Sequence, residues 1–150
     1  MSLNCKRVGK RLCTESEWTF ACEGEEGSPY PYGYSRDATA CRIDVLANRP
    51  GDKALIPRTT ASAALAMDSA WQGKRAGEMP RCKSPFGVHD MTGNVDEWTR
   101  SVRPHGYRMI LKGGHWGPVR QRCRPQTRGH GPRYVRYDQG FRCCTDASGK

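Results

Sequence analysis

The clearest periodic pattern of apolar residues follows Thr14. Thr14 and Glu17 form a capping box, in which the threonine hydroxyl accepts from the amide of residue 17 and the glutamate reaches back to the amide of residue 14. Apolar residues then recur at helical spacing, at Trp18, Ala21 and Cys22. Gly24 provides a C-terminal stop. The pattern predicts a short amphipathic helix that begins after Thr14.

A second helix is predicted between residues 59 and 72. This stretch is rich in alanine, the residue with the highest helix propensity, and Gly73 follows it. Ala64, Met67 and Trp71 fall on one face at spacings of three and four. We expect this face to pack against the rest of the domain.

The C-terminal part of the chain alternates short strand-like segments with turns. The segments are 109–111, 134–135 and 140–144, and a Gly113-Gly114 turn follows the first of them. We expect the segments to pair into a small antiparallel sheet, with the C-terminal strand lying against Ile110 and Leu111.

Composition indicates one loop-rich domain. The chain has 150 residues, which is about the size of a single domain. Only 36% of the residues are apolar, and 17 glycines and 10 prolines argue against a regular helical bundle. No run of about 18 apolar residues occurs, which excludes a membrane-spanning helix on length. Much of the core is expected from the four tryptophans: Trp18, Trp71, Trp98 and Trp116.

The net charge of +10 raises the question of nucleic-acid binding. The basic residues are spread along the chain, however, and no helix-turn-helix, finger spacing or aromatic platform accompanies them. We therefore do not expect nucleic acid as a partner. Several arginines stand among Gly, Pro and Cys, where planar donors hold loops together: Arg120, Arg122, Arg124 and Arg128.

The chain contains eight cysteines, an even and high number that favours disulfides. No CxxC pair or zinc-finger spacing occurs, so we favour disulfides over zinc binding as the role of these cysteines. Disulfides predict an extracytoplasmic protein, either periplasmic or secreted. The cysteines are Cys5, Cys13, Cys22, Cys41, Cys82, Cys123, Cys143 and Cys144.

Spacing restricts the pairing of four of these cysteines. Adjacent Cys143 and Cys144 point to opposite faces of a strand and need different partners. Cys13 and Cys22 lie near opposite ends of the first helix, roughly 13 Å apart, and cannot bond to each other. The remaining connectivity stays open. The histidines are scattered with no two at i, i+4, and they do not suggest a ligand set: His89, His105, His115 and His130.

Four blocks of sequence, in this order, resemble the family of formylglycine-generating enzymes. They are GKRLCTESEW at 9–18, YPYG at 30–33, SPFGVHDMTGNVDEW at 84–98, and LKGGHW at 111–116 with GFR at 140–142. The resemblance implies an α+β fold, related to the C-type lectin fold and poor in regular secondary structure. Family domains begin well before the GKRL block, so the chain is similar to the C-terminal part of that domain.

These blocks predict a domain at residues 9–146. We interpret residues 1–8 as a remnant of a linker or of expression, and residues 147–150 as a tail. A domain without its N-terminal part is expected to expose a face that the missing part would cover, which predicts self-association through that face.

The resemblance also implies a chemistry. Enzymes of this family bind copper(I) through two cysteines that follow a GGS(W/Y) motif, and soft thiolates suit that ion. On this sequence the second cysteine matches Cys123, but the first falls on Pro118, which has no ligand atom. Cys143 and Cys144 are the candidates to replace the missing thiolate. Relatives that use non-heme iron take their histidines from a separate helical domain with no counterpart here.

The turn from Asp90 to Glu97 is the candidate metal site. Its two carboxylates bend around Gly93, so that the carbonyls of Gly93 and Val95 can face inward, and such an oxygen-rich set suits calcium. The resemblance agrees, because family members bind calcium through the matching residues, and its role would be structural. The alternative is that the carboxylates cap turns or pair with nearby arginines: Arg100 and Arg103.

Two functional hypotheses follow. The first is a diverged, non-catalytic family member that binds a protein or peptide partner, because Pro118 removes one copper ligand. The second is an active copper-dependent oxidase that converts a substrate cysteine to formylglycine, with Cys123 and either Cys143 or Cys144 as the thiolate pair. No esterase or phosphate-loop motif occurs to support a hydrolase or a kinase.

Overall fold

The computed structural model describes residues 2–46, 50–102, 108–131 and 133–146, without the side chains of residues 2, 3 and 52. Most of these residues lie outside regular elements, and the fold is α+β and loop-rich, as the sequence predicted. His105, Arg103 and the tail at 147–150 lie outside the described residues. The elements are α1 (Ser2–Arg7), β1 (Arg11–Leu12), α2 (Glu15–Glu23), a 3₁₀ turn (Asp52–Leu55), α3 (Ala61–Ala70), β2 (Asp96–Arg100), β3 (Met109–Lys112), β4 (Gln126–Thr127), β5 (Gln139–Phe141) and β6 (Cys143–Cys144).

Helix α2 begins where the capping box predicts. The amide of Glu17 donates to Thr14 Oγ1 at 3.2 Å, and the amide of Thr14 donates to Glu17 Oε2 at 2.9 Å. Gly24 ends the helix with a φ of 69°, and its amide donates to the carbonyl of Phe20. The helix buries Trp18 and Cys22, so the local prediction is confirmed.

Helix α3 is confirmed as a helix, but the predicted packing face is wrong. Its buried residues are Ala63 and Ala70, whereas Ala64 is exposed. Trp71 has left the helix at the C-cap, and 44% of its surface is exposed. Small alanine side chains occur on several sides of α3, so the pattern of apolar residues does not single out one face.

The main sheet has four strands in the order β4-β3-β2-β5. Strand β2 is antiparallel to β3, with Trp98 opposite Leu111, and parallel to β5, with Trp98 opposite Phe141. The predicted pairing of the C-terminal strand with the 110–111 strand is therefore wrong, since β2 lies between them. The sequence did not predict β2 because three of its five residues are charged. Residues 134–135 form no strand.

A second, two-stranded sheet pairs β1 with β6, with Leu12 opposite Cys143. Residues 2–7, which the sequence analysis set apart as a remnant, form α1 beside this sheet. Cys5 is buried there and is bonded to Cys143. This segment therefore belongs to the folded domain, and the boundary at residue 9 is corrected; the partner of Cys5 could not be identified from spacing.

The core lies between α2 and the main sheet. Trp18, Trp98 and Trp116 are buried as predicted, and Trp18 packs with Met91 and Cys123. Within the described residues, no helix combines the length and apolar character needed to cross a bilayer.

Candidate functional site

The eight cysteines form four disulfides. Cys143 and Cys144 have different partners, and Cys13 and Cys22 are not bonded to each other, as the spacing required. Every cysteine is therefore oxidised, and none offers a thiolate. The pairs are Cys5–Cys143, Cys13–Cys144, Cys22–Cys123 and Cys41–Cys82.

Cys123, the predicted copper ligand, lies in the core. It is 0% exposed, and its sulfur is bonded to Cys22 of α2 with a Cα–Cα distance of 5.5 Å. Its amide also donates to the carbonyl of Pro29 at 2.9 Å, which fixes the loop after β3 against the loop after α2. Pro118, at the other predicted ligand position, is exposed. The residues at these two positions therefore do not fit a copper(I) site.

The loop that joins Pro118 to Cys123 is held from inside by Gln121. The buried amide nitrogen of Gln121 donates to the carbonyls of His115 and Gly117, the first at 3.0 Å. Its oxygen accepts from Arg36 at 2.8 Å. These contacts satisfy both ends of the buried amide group and connect the loop to residues 115 and 117 and to Arg36.

At the candidate calcium site, Glu97 is paired with an arginine that the sequence analysis did not consider. Its carboxylate accepts two hydrogen bonds of 2.5 Å from Arg142 and one of 2.6 Å from Trp18 Nε1. The Glu97 side chain is only 8% exposed. Burial acts to lower the pKa of Arg142, but the nearby charges of Glu97 and Asp90 raise it above its ordinary value. The guanidinium supplies the positive charge that a metal ion would bring.

Asp90 and the Gly93-Asn94 turn contact a different segment, residues 73–78. Asp90 Oδ2 accepts from the amide of Gly77 at 2.7 Å. Asn94 both accepts from and donates to the backbone of Lys74, at 2.8 and 3.1 Å. At Gly93, with a φ of 74°, a Cβ atom would come within 2.3 Å of the carbonyl oxygen of Arg42, so only glycine fits.

The four predicted calcium residues, Asp90, Gly93, Val95 and Glu97, are therefore close in the chain, but their carboxylates are used by protein donors. The geometry agrees with the alternative interpretation, in which the carboxylates cap turns or pair with arginines. The arginine that pairs with Glu97 is Arg142, however, whereas the sequence pointed to Arg100 and Arg103. In this arrangement the set does not fit calcium, because the ion would have to compete with the guanidinium. No three His, Cys, Asp or Glu side chains gather into a metal-holding group in the described ranges.

A second buried ion pair was missed by the sequence analysis. Asp96 accepts from Arg120 Nη2 at 2.6 and 2.7 Å and from the amide of Gly114. Burial raises the pKa of Asp96, and the contact with Arg120 opposes that rise. The sequence analysis assigned a structural use to the four loop arginines, and this use is confirmed for Arg120, Arg124 and Arg128. Each of these three pairs with a carboxylate. The other partners are Glu23 and Glu15.

His115 belongs to the same network. The amide of Gly117 donates to His115 Nδ1 at 2.9 Å, so the proton is assigned to Nε2, which faces Asp138 at 3.8 Å. Asp138 is also paired with Arg136. These contacts position the loop after β3.

Comparison with known proteins agrees with this geometry. A family model described as the sulfatase-modifying factor enzyme 1-like domain matches residues 3–147. The chain is 31% identical to "Inactive C-alpha-formylglycine-generating enzyme 2" from Mus musculus and 30% identical to the protein of that name from Bos taurus. Each match covers 95% of the chain, and the chain spans 45% and 46% of these relatives. It is also 28% identical to the serine/threonine-protein kinase pkn1 of Chlamydia caviae, over 91% of the chain and 21% of the kinase.

Solved structures show the same fold. The structure of CarF matches with a TM-score of 0.57 at 22% identity, covering 89% of the chain and 46% of CarF. The structure of PvdO from Pseudomonas aeruginosa matches with a TM-score of 0.58 at 19% identity, covering 93% of the chain and 54% of PvdO. At these identities the likeness concerns the fold alone. The family match over almost the whole chain, together with the four sequence blocks, shows that this protein belongs to the sulfatase-modifying factor enzyme 1-like domain family.

Proposed function

We propose that this protein is a non-catalytic member of its family that binds a protein or peptide partner. The observation that carries the proposal is the Cys22–Cys123 disulfide, which places the predicted copper ligand in the core. Pro118 has no ligand atom at the other predicted copper position. The mouse and bovine relatives are named inactive enzymes, and we extend that property to this chain.

The copper-dependent oxidase is the competing function, and it requires two changes. The core disulfide of Cys123 would have to be reduced, and a second thiolate would have to come from Cys143 or Cys144. Each of these is bonded to another cysteine, Cys5 or Cys13, in the sheet that joins β1 to β6. No observation on the described residues favours this rearrangement.

We also propose an extracytoplasmic location, periplasmic or secreted. The support is the set of four disulfides in a chain of 150 residues, because such bonds persist in oxidising compartments and are rare in the cytosol.

An activity assay tests the proposed function. The non-reduced protein is incubated with copper, oxygen and an excess of a cysteine-containing peptide, whose remaining thiols supply the two additional electrons that the reduction of oxygen to water requires. The peptide is then examined for formylglycine by mass spectrometry. A separate copper-free sample of the non-reduced protein is titrated with copper(I), without oxygen and in the presence of a competing chelator. The proposal predicts an unchanged peptide and no stoichiometric uptake of copper. Formylglycine formation above the copper-only control would overturn it.

A further inference from the structure

A groove opens between the 3₁₀ turn with α3 on one side and residues 133–137 on the other. Its volume is about 710 Å³, which lies within the usual range of ligand-binding sites. The two sides are joined by a hydrogen bond of 2.6 Å from Arg58 Nη2 to the carbonyl of Val135. The groove is distinct from the Glu97 and Cys123 sites, none of whose residues line it.

The surface of the groove is largely apolar and accessible. Leu55, Ile56, Met67 and Val135 line it, and of these Ile56 is 69% and Val135 49% exposed. A single exposed apolar side chain is common on a protein surface, but several that line one concave surface mark a candidate docking site.

Positive charge surrounds this apolar surface. Three arginines line the groove, and no acidic side chain is among its described lining residues. Arg136 is paired with the buried Asp138. Arg58 is bound to a carbonyl, which does not neutralise its charge. Arg133 has no carboxylate partner within the described part of the chain, so Arg58 and Arg133 are available to pair with an anionic ligand.

We propose that this groove docks an extended acidic peptide segment of a partner protein. Apolar side chains of the segment would lie on Ile56 and Val135, and its carboxylates would pair with Arg58 and Arg133, since guanidinium groups suit carboxylates. The apolar lining favours a peptide over a sulfated polysaccharide or a nucleic acid, which offer no aliphatic side chains. The inference rests on the proposed binding function and names the class of partner.

The structure offers an optical signal for docking. Tyr137 lines the groove, and its ring centroid lies 5.9 Å from that of Trp116. Trp116 in turn packs edge-on against Trp71 at 5.0 Å. A segment that docks beside Tyr137 is therefore expected to change the tryptophan fluorescence.

The test uses the full chain and the blocked peptide EDLPELDE, with tryptophan fluorescence and calorimetry at low salt. The charge-reversed peptide KRLPKLKR, heparin and a single-stranded oligonucleotide are the comparison probes. Three variants are compared with the wild type: Arg133→Glu, Val135→Ser and, as the control, Arg7→Glu. Arg7 is exposed on α1 and does not line the groove. Both variants replace an arginine with a glutamate, so they change the net charge by the same amount.

The proposal predicts saturable binding of the acidic peptide and none of the reversed one. Arg133→Glu should weaken binding about tenfold and Val135→Ser about threefold, whereas Arg7→Glu should weaken it less than about twofold. Circular dichroism of each variant shows whether it is folded. The docking proposal would be overturned if Arg133→Glu and Arg7→Glu weakened peptide binding equally. It would also be overturned if heparin or the oligonucleotide bound in place of the peptide. If the peptide fails to bind and copper is not taken up either, the groove proposal fails and the non-catalytic assignment stands.

Discussion

Cys22 of helix α2 and Cys123 of the loop after β3 are joined by a disulfide, and both sulfurs lie in the core beside Trp18 and Met91. The cysteine that the sequence analysis matched to a copper ligand therefore connects a helix to a loop 101 residues away. A thiol can be a metal ligand or half of a disulfide, and only its spatial neighbour decides which.

Removing this disulfide is expected to destabilise the protein. In the double variant Cys22→Ala with Cys123→Ala, the free energy of unfolding should fall by about 2–5 kcal/mol, because the crosslink restricts the unfolded chain. Urea unfolding without reductant measures the loss. A double variant as stable as the wild type would show that the bond does not form.

The buried pair of Glu97 and Arg142 predicts a second loss of stability. Glu97→Gln removes the carboxylate that is hydrogen-bonded to Arg142 and leaves the guanidinium with only the nearby charge of Asp90, which should cost about 3 kcal/mol. The matched control is Glu17→Gln, whose partner Arg11 is in a more exposed pair and whose glutamine keeps the capping box, so its cost should stay below about 1 kcal/mol. Similar losses in the two variants would contradict the assigned role of Glu97.

The same pair leads to an expectation for calcium. Because Arg142 already neutralises Glu97, chelation of calcium should leave the melting temperature unchanged, and added calcium should not raise it. Thermal unfolding with EDTA and with millimolar calcium tests this. A melting temperature that falls on chelation would contradict this expectation and support calcium binding at Asp90, Gly93, Val95 and Glu97.

Local sequence signals predicted parts of this fold well. The capping box of Thr14 and Glu17 specified α2, because its hydrogen bonds join residues three apart. Strand β2 was missed since Asp96 and Glu97 are charged, and they are buried only through arginines that lie 24 and 45 residues away. Pairing of this kind has no local pattern, and the disulfide partners were unpredictable for the same reason.

Lys112 gives a prediction for pH. Its side chain is buried, its ammonium donates to the carbonyl of Arg124 at 2.9 Å, and it lies over the ring of Trp18. Burial lowers the pKa of Lys112 to about 8. Between this value and the ordinary pKa of about 10.5, the unfolded chain binds more protons than the folded one.

The free energy of unfolding should therefore rise between about pH 8 and 10.5, and Lys112 should contribute up to roughly 3 kcal/mol to this rise. Below pH 8 the cost of burying the charged ammonium of Lys112 is present in full. Lys112→Met should remove this rise, since the variant has no charge to bury. Urea unfolding of both proteins at several pH values between 7 and 10.5 isolates the contribution as a difference. Parallel pH profiles would show that Lys112 is not responsible.

The most direct test of the central claim is the oxidation state of Cys123. The non-reduced protein is treated with an alkylating reagent under denaturing conditions, digested and analysed by mass spectrometry. The structure predicts no alkylated cysteine and a linked peptide that contains Cys22 and Cys123. An alkylated Cys123, with Cys22 free or bonded elsewhere, would contradict the claim that this thiol is structural.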